Sequence, residues 1–155
     1  MTRRALVAGV GNVFFGDDGF GVEVATRLSR ERLPEDVRVM DAGIRARDLA
    51  YELLEGGYQT AILVDAVARG GTPGTLYVID PAASDSPVPA VAAFDGHSMT
   101  PETTLAFVRA LGGTAARIVI VGCEPARIDE GMGLSPPVTA AVDEALRLVR
   151  ELLCA

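Results

Sequence analysis

Apolar residues along this chain fall into two kinds of run. Short, nearly solid blocks rich in Val, Ile, Leu and Ala stand at 5–10, 37–40, 61–65, 75–79 and 117–122. Between them lie stretches in which apolar positions recur every three or four residues, at 19–32, at 45–55 and after 135. Solid blocks of this length suit strands buried on both faces, and the 3.6-residue period suits helices packed on such a sheet. The alternation predicts an α/β domain. Only the turn-forming stretch Arg69-Gly-Gly-Thr-Pro-Gly74 separates the third block from the fourth, which leaves no room for a helical crossover. The fourth strand is therefore predicted to run antiparallel to its neighbours.

The stretch 80–95 carries three prolines and no period, and reads as a surface loop leading to His97. Thr100-Pro101 and Ser135-Pro136 each pair a capping residue with a first-turn proline, so each predicts a helix start. The last helix presents Val138, Ala141, Val142, Ala145, Leu146, Val149, Leu152 and Leu153 on one face. No repeat, linker or low-complexity tract interrupts the chain, which predicts one domain over 1–155.

Composition narrows the function classes. With 155 residues, 49% apolar and 23% charged, the chain is long enough to bury a continuous core. The formal charge is −7, and the arginines are scattered rather than gathered in a stripe with aromatics, which disfavours nucleic acid as a partner. The longest apolar runs fall far short of a membrane span, and the start has no signal-peptide pattern, so no membrane partner and a cytoplasmic location are expected. Cys123 and Cys154 form neither a disulfide framework nor a CxxC pair, which fits a reducing compartment.

Three ionisable residues stand out: Asp18, Asp65 and His97, the last being the only histidine. Asp18 follows the first strand at the mouth of the first helix, Asp65 ends the third strand, and His97 precedes a predicted helix start. Two carboxylates and an imidazole suit one divalent ion and leave coordination positions open. The loop Gly9-Val-Gly-Asn12 to Gly16-Asp-Asp-Gly-Phe-Gly21 occupies the place of a dinucleotide fingerprint, but Asp17 and Asp18 would repel a pyrophosphate, and no cationic residue lies near. Asp17 is expected to do no more than complement the positive end of the helix. Asp41, after the second strand, is a turn aspartate or a further site residue. Cys123 with His97 as base makes a cysteine hydrolase conceivable, but nothing nearby suggests a depressed thiol pKa, and a small buried side chain is the favoured reading. Glu124, Asp129 and Glu130 read as ordinary loop acids.

Taken together, Gly9-Val-Gly-Asn12, Asp17-Asp-Gly-Phe-Gly21, Asp41-Ala-Gly43, Val64-Asp-Ala66, His97, the turn from Gly122 to Pro125, and Gly133-Leu-Ser-Pro136 resemble the hydrogenase maturation endopeptidases. The matches run in order from Val7 to about Val138. The resemblance implies a three-layer α/β/α fold around a five-stranded mixed sheet with strand 4 antiparallel. It implies an endopeptidase that removes a short C-terminal extension from a nickel-iron hydrogenase large-subunit precursor after nickel insertion, without a serine or cysteine nucleophile. The family's metal-contacting positions fall on Asp18, Asp65 and His97, with the nickel brought by the substrate, and its substrate region includes Asp41 and Gly43. The chain carries Asp18 where glutamate is frequent and Ala42 where a second glycine is often seen. A nickel-binding assembly chaperone with the same three ligands is the alternative reading.

Overall fold

A computed structural model of the chain describes residues 3–81, 105, 109 and 116–154. Strands β1 (Arg3–Val10), β2 (Val37–Gly43), β3 (Tyr58–Ala66), β4 (Leu76–Ile79) and β5 (Arg117–Cys123) form one sheet in the order β2-β1-β3-β5-β4. All neighbours pair in parallel except β4, which runs antiparallel to β5 with Leu76 opposite Cys123 and Ile79 opposite Ile120. The expected five-stranded mixed sheet with an antiparallel fourth strand is what forms.

The pleat sorts each apolar block between two faces. Val7, Ile62, Val64, Val121 and Cys123 point one way, against Phe20, Val24 and Leu28 of helix α1 (Phe20–Leu28) and Val138, Val142 and Val149 of helix α3 (Pro136–Cys154). Leu6, Ala8, Val10, Leu63 and Ile120 point the other way, against Leu49, Ala50 and Leu53 of helix α2 (Ala46–Glu55), with Leu105 in the same cluster. A period of two in each strand and of 3.6 in each helix therefore yields two cores flanking one sheet. Seven of the eight apolar positions assigned to the last helix are buried, and Leu152 is partly so.

Some boundaries shift from expectation. The first helix ends at Leu28 rather than near 32, and β3 begins at Tyr58 rather than 61. That early part of β3 is held by pairing, Arg3 opposite Tyr58 and Ala5 opposite Thr60, which no apolar run announces. The loop 80–95, His97 and the helix start at Thr100-Pro101 lie outside the described residues.

At Gly9 and Gly21, helix α1 approaches the sheet so closely that no side chain fits between. A Cβ on Gly21 would lie 2.0 Å from the Val64 carbonyl oxygen, and one on Gly9 would lie 2.2 Å from that of Gly21. Both clashes are with main chain, which cannot swing aside. We therefore expect Gly21→Ala to destabilise the fold by about 3 kcal/mol, read as a lower urea midpoint; an unchanged midpoint would mean that the helix can lift off the sheet freely.

Candidate active site

In an open α/β sheet, ligands bind beyond the carboxyl ends of the strands where the strand order reverses. Here that point lies between β1, whose connection leads outward to β2, and β3, whose connection leads the opposite way. Asp18 and Asp65 both reach it. Asp65 is the penultimate residue of β3, is 3% exposed, and its Oδ1 accepts the Ala66 N–H at 2.8 Å. Asp18 sits in the 3-10 turn Gly16–Gly19 that joins the β1 loop to α1.

Gly11 is the hinge between these two acids. Its φ of +132° is one that residues with a side chain rarely adopt. A Cβ there would stand 1.9 Å from the Asp18 carbonyl oxygen and 3.2 Å from Asp65 Oδ1. The main chain of Asp18 and the carboxylate of Asp65 thus flank one glycine. The next residue, Asn12, donates its N–H to Asp18 Oδ2 at 2.8 Å. Asp41 and Gly43 come from the neighbouring strand: Gly11 donates its N–H to the Gly43 carbonyl, and Asp41 stands opposite Gly9, with Gly43 opposite Val10 after a break in register. Asp18, Asp65 and Gly43 are therefore grouped around Gly11, with Asp41 two residues before Gly43 in β2, at the carboxyl edge of the sheet, while His97 lies outside the described residues.

The electrostatics distinguish neighbouring acids. Asp18 is half-buried, and desolvation raises its pKa from the ordinary value despite the Asn12 N–H. Asp17 is fully buried, and burial alone would raise its pKa, yet it is held below the ordinary value by hydrogen bonds. Its Oδ1 accepts the Ser135 N–H at 2.7 Å, and its Oδ2 accepts the N–H groups of Ala126 and Arg127 and the Ser135 hydroxyl. This corrects the expectation that Asp17 serves the helix it precedes. No side-chain bond caps that helix, and the acid is spent on a distant loop instead. Ser135 likewise precedes α3 as expected, but its hydroxyl donates to Asp17.

Glu124 is the second correction. It is buried, and although desolvation opposes the charged form, the N–H groups of Arg69 and Gly71 and the Tyr77 hydroxyl lower its pKa. A sequence gives no sign of this, because those donors stand about fifty positions away. Cys123 is buried at the end of β5. Desolvation, then the charges of Asp17 and Glu124, push its thiol up to about 12, so no thiolate nucleophile is available there.

Among the described residues, no three His, Cys, Asp or Glu side chains are grouped as a metal site. Asp18 and Asp65 supply two oxygen donors, so a closed metal cage is not formed by these residues alone. No described helix is long and apolar enough to cross a membrane.

Comparison with known proteins agrees with this architecture. The sequence model described as hydrogenase maturation protease matches residues 22–152. The hydrogenase expression/formation protein HupD of Rhodobacter capsulatus is 35% identical over 159 residues, covering 97% of this chain and 71% of that protein. The hydrogenase 2 maturation protease of Escherichia coli is 29% identical, covering 94% and 88%. Among solved structures, the hydrogenase-maturating endopeptidase HybD of E. coli superposes with a TM-score of 0.77 at 27% identity, covering 97% of this chain and 91% of that one. A hydrogenase 2 maturation peptidase from a thaumarchaeon is 34% identical with a TM-score of 0.70, covering 97% of each chain.

Two outcomes follow from the site's electrostatics. In the native protein at pH 8 an alkylating reagent should label the exposed Cys154 and spare Cys123, with both labelled after denaturation; mass spectrometry of peptides distinguishes the two. Asp17 has a depressed folded-state pKa, so its contribution to stability is present above its unfolded value of 3.8 and is lost as pH falls through the folded value. Asp17→Asn should accordingly cost about 3 kcal/mol at pH 7, and the cost should shrink progressively as pH is lowered below 3.8, as denaturation over an acid pH series would reveal.

Proposed function

Because this chain belongs to the hydrogenase maturation protease family, we propose that it removes the C-terminal extension of a nickel-iron hydrogenase large-subunit precursor once nickel has been inserted. The observation that carries this reading is the meeting of Asp18 and Asp65 at the switch point of the sheet, beside a cysteine that is held protonated. The family's activity is peptide hydrolysis, and the crevice offers carboxylates rather than an activated thiol or serine elbow.

In this reading the nickel is part of the substrate. The precursor presents its ion to Asp18, Asp65 and His97, which brings the adjoining peptide bond to the crevice and makes metal insertion the condition for cleavage. The ion polarises the scissile carbonyl or a water molecule. A carboxylate of the site takes the proton released in the attack. Asp41 and Gly43 border the path of the tail.

A protein substrate also needs a surface to rest on. Phe14 and Met132 are 61% and 73% exposed, and Phe15 and Ile128 are exposed as well. These side chains belong to two loops joined by the Gly131 N–H to the Phe14 carbonyl, next to Asn12 and the turn of Asp18. Exposed apolar side chains gathered at a site's rim fit a macromolecular partner. The two free cysteines fit a reducing, cytoplasmic setting.

The test is to incubate the purified protein with nickel-free and nickel-loaded precursor in parallel and to follow the mass of the large subunit. Loss of the tail is expected only from the loaded form, and equal loss from both would sink the role of nickel in recognition. Asp18→Asn, Asp65→Asn and His97→Ala should each lower the rate by about 100-fold or more. The sign for Asp18 is informative in its own right: its folded-state pKa is raised, so the ionised form weakens the fold above the unfolded value of 3.8. Asp18→Asn should therefore raise the thermal midpoint at pH 7 while removing activity, and a lowered midpoint would contradict that account.

A further inference from the structure

Asp17 takes no part in the chemistry proposed above, yet its carboxylate is coordinated on both oxygens. A fully buried carboxylate is tolerated when its lone pairs are occupied. Here four donors occupy them: the N–H groups of Ala126, Arg127 and Ser135 and the Ser135 hydroxyl, at 2.7 to 3.1 Å. All of them come from the connection between β5 and α3, more than a hundred positions away in sequence.

The main chain around Asp17 follows the same path. Asp17 donates its N–H to the Arg127 carbonyl, and Gly16 donates to that of Gly131. The 3-10 turn has no side-chain cap of its own. Its orientation is therefore imposed by the 126–135 segment, and the next residue in the turn is Asp18. The Asp18 carboxylate takes a different partner, the Asn12 N–H, and none of the 126–135 donors described for Asp17.

We propose that Asp17 is a positioning residue for the reaction: by tying its turn to the 126–135 segment it sets the direction in which Asp18 points. This rests on the proteolytic reading of Asp18. Asparagine cannot substitute, because an amide has one acceptor oxygen, and its NH2 would face a donor in either orientation.

The experiment combines kinetics on nickel-loaded precursor with amide hydrogen exchange on Asp17→Asn. Below the melting temperature of the variant, kcat per folded molecule should fall about 100-fold, with KM changed by less than about threefold. Exchange of the Asn12 amide, which is held by Asp18, should accelerate more than that of Ile62 and Leu63 in β3. An unchanged kcat with all amides accelerated by one common factor would assign Asp17 a purely structural role and overturn the proposal. Should Asp17→Asn fail to fold, Ser135→Ala removes one donor of the four. It should then show a smaller fall in kcat with the same selective acceleration at Asn12, and wild-type values of both would overturn the proposal. If the wild-type protein leaves loaded precursor uncut, the proteolytic reading fails by itself. The Asn12 exchange then decides the matter alone: selective acceleration sustains the orienting role, and uniform acceleration ends it.

Discussion

At Gly9 and Gly21 the first helix lies on the sheet with main chain against main chain, and this contact determines where the chain can go after β1. With the Gly21 position 2.0 Å from the Val64 carbonyl for any added Cβ, the start of α1 sits directly over the ends of β1 and β3. The loop between β1 and α1 must then turn within ten residues above that edge. Gly11 allows it to do so by adopting a backbone conformation that side chains resist. The carboxylate of Asp65 and the turn of Asp18 meet as a result of this close packing, and the hydrophobic cores on the two faces hold the sheet that makes it possible.

Two consecutive acids in that turn end in opposite environments. Asp17 is saturated with hydrogen-bond donors and stays ionised despite complete burial, whereas Asp18 has one described donor and is disfavoured as an anion. Such separation of neighbouring carboxyl groups by their surroundings is how one site can hold a structural charge and a reactive one side by side. The structural charge also acts on its neighbours, since Asp17 and Glu124 both help to keep the Cys123 thiol protonated. The same acids that organise the carboxyl edge of the sheet thereby exclude the cysteine from nucleophilic chemistry.

Around this edge the loops between β5 and α3 and between β3 and β4 are fastened from within by buried carboxylates. Glu124 gathers Arg69, Gly71 and Tyr77, as Asp17 gathers Ala126, Arg127 and Ser135. Loops at a binding edge are ordinarily the less stable part of an α/β fold. Here ionised acceptors take up their free N–H groups, so the rim is fixed by polar bonds where apolar burial does not reach.

The sequence by itself determined the layers and the strand directions. Solid apolar blocks and 3.6-residue periods are local patterns, and the short link 69–74 by its length alone rules out a helical crossover into β4. It also marked Asp18, Asp65 and Asp41, because residues after strand ends face the carboxyl edge whatever the rest of the chain does. What only the tertiary structure decided were the roles of Asp17 and Glu124. In sequence Asp17 reads as an acid at a helix start, and Glu124 as a loop acid like Asp129 or Glu130. Their burial and their donors are supplied by segments roughly fifty to more than a hundred residues distant, and no local pattern encodes which N–H groups a folded chain will bring to a carboxylate. The early start of β3 at Tyr58 was hidden for the same reason, since strand pairing rather than an apolar run holds it.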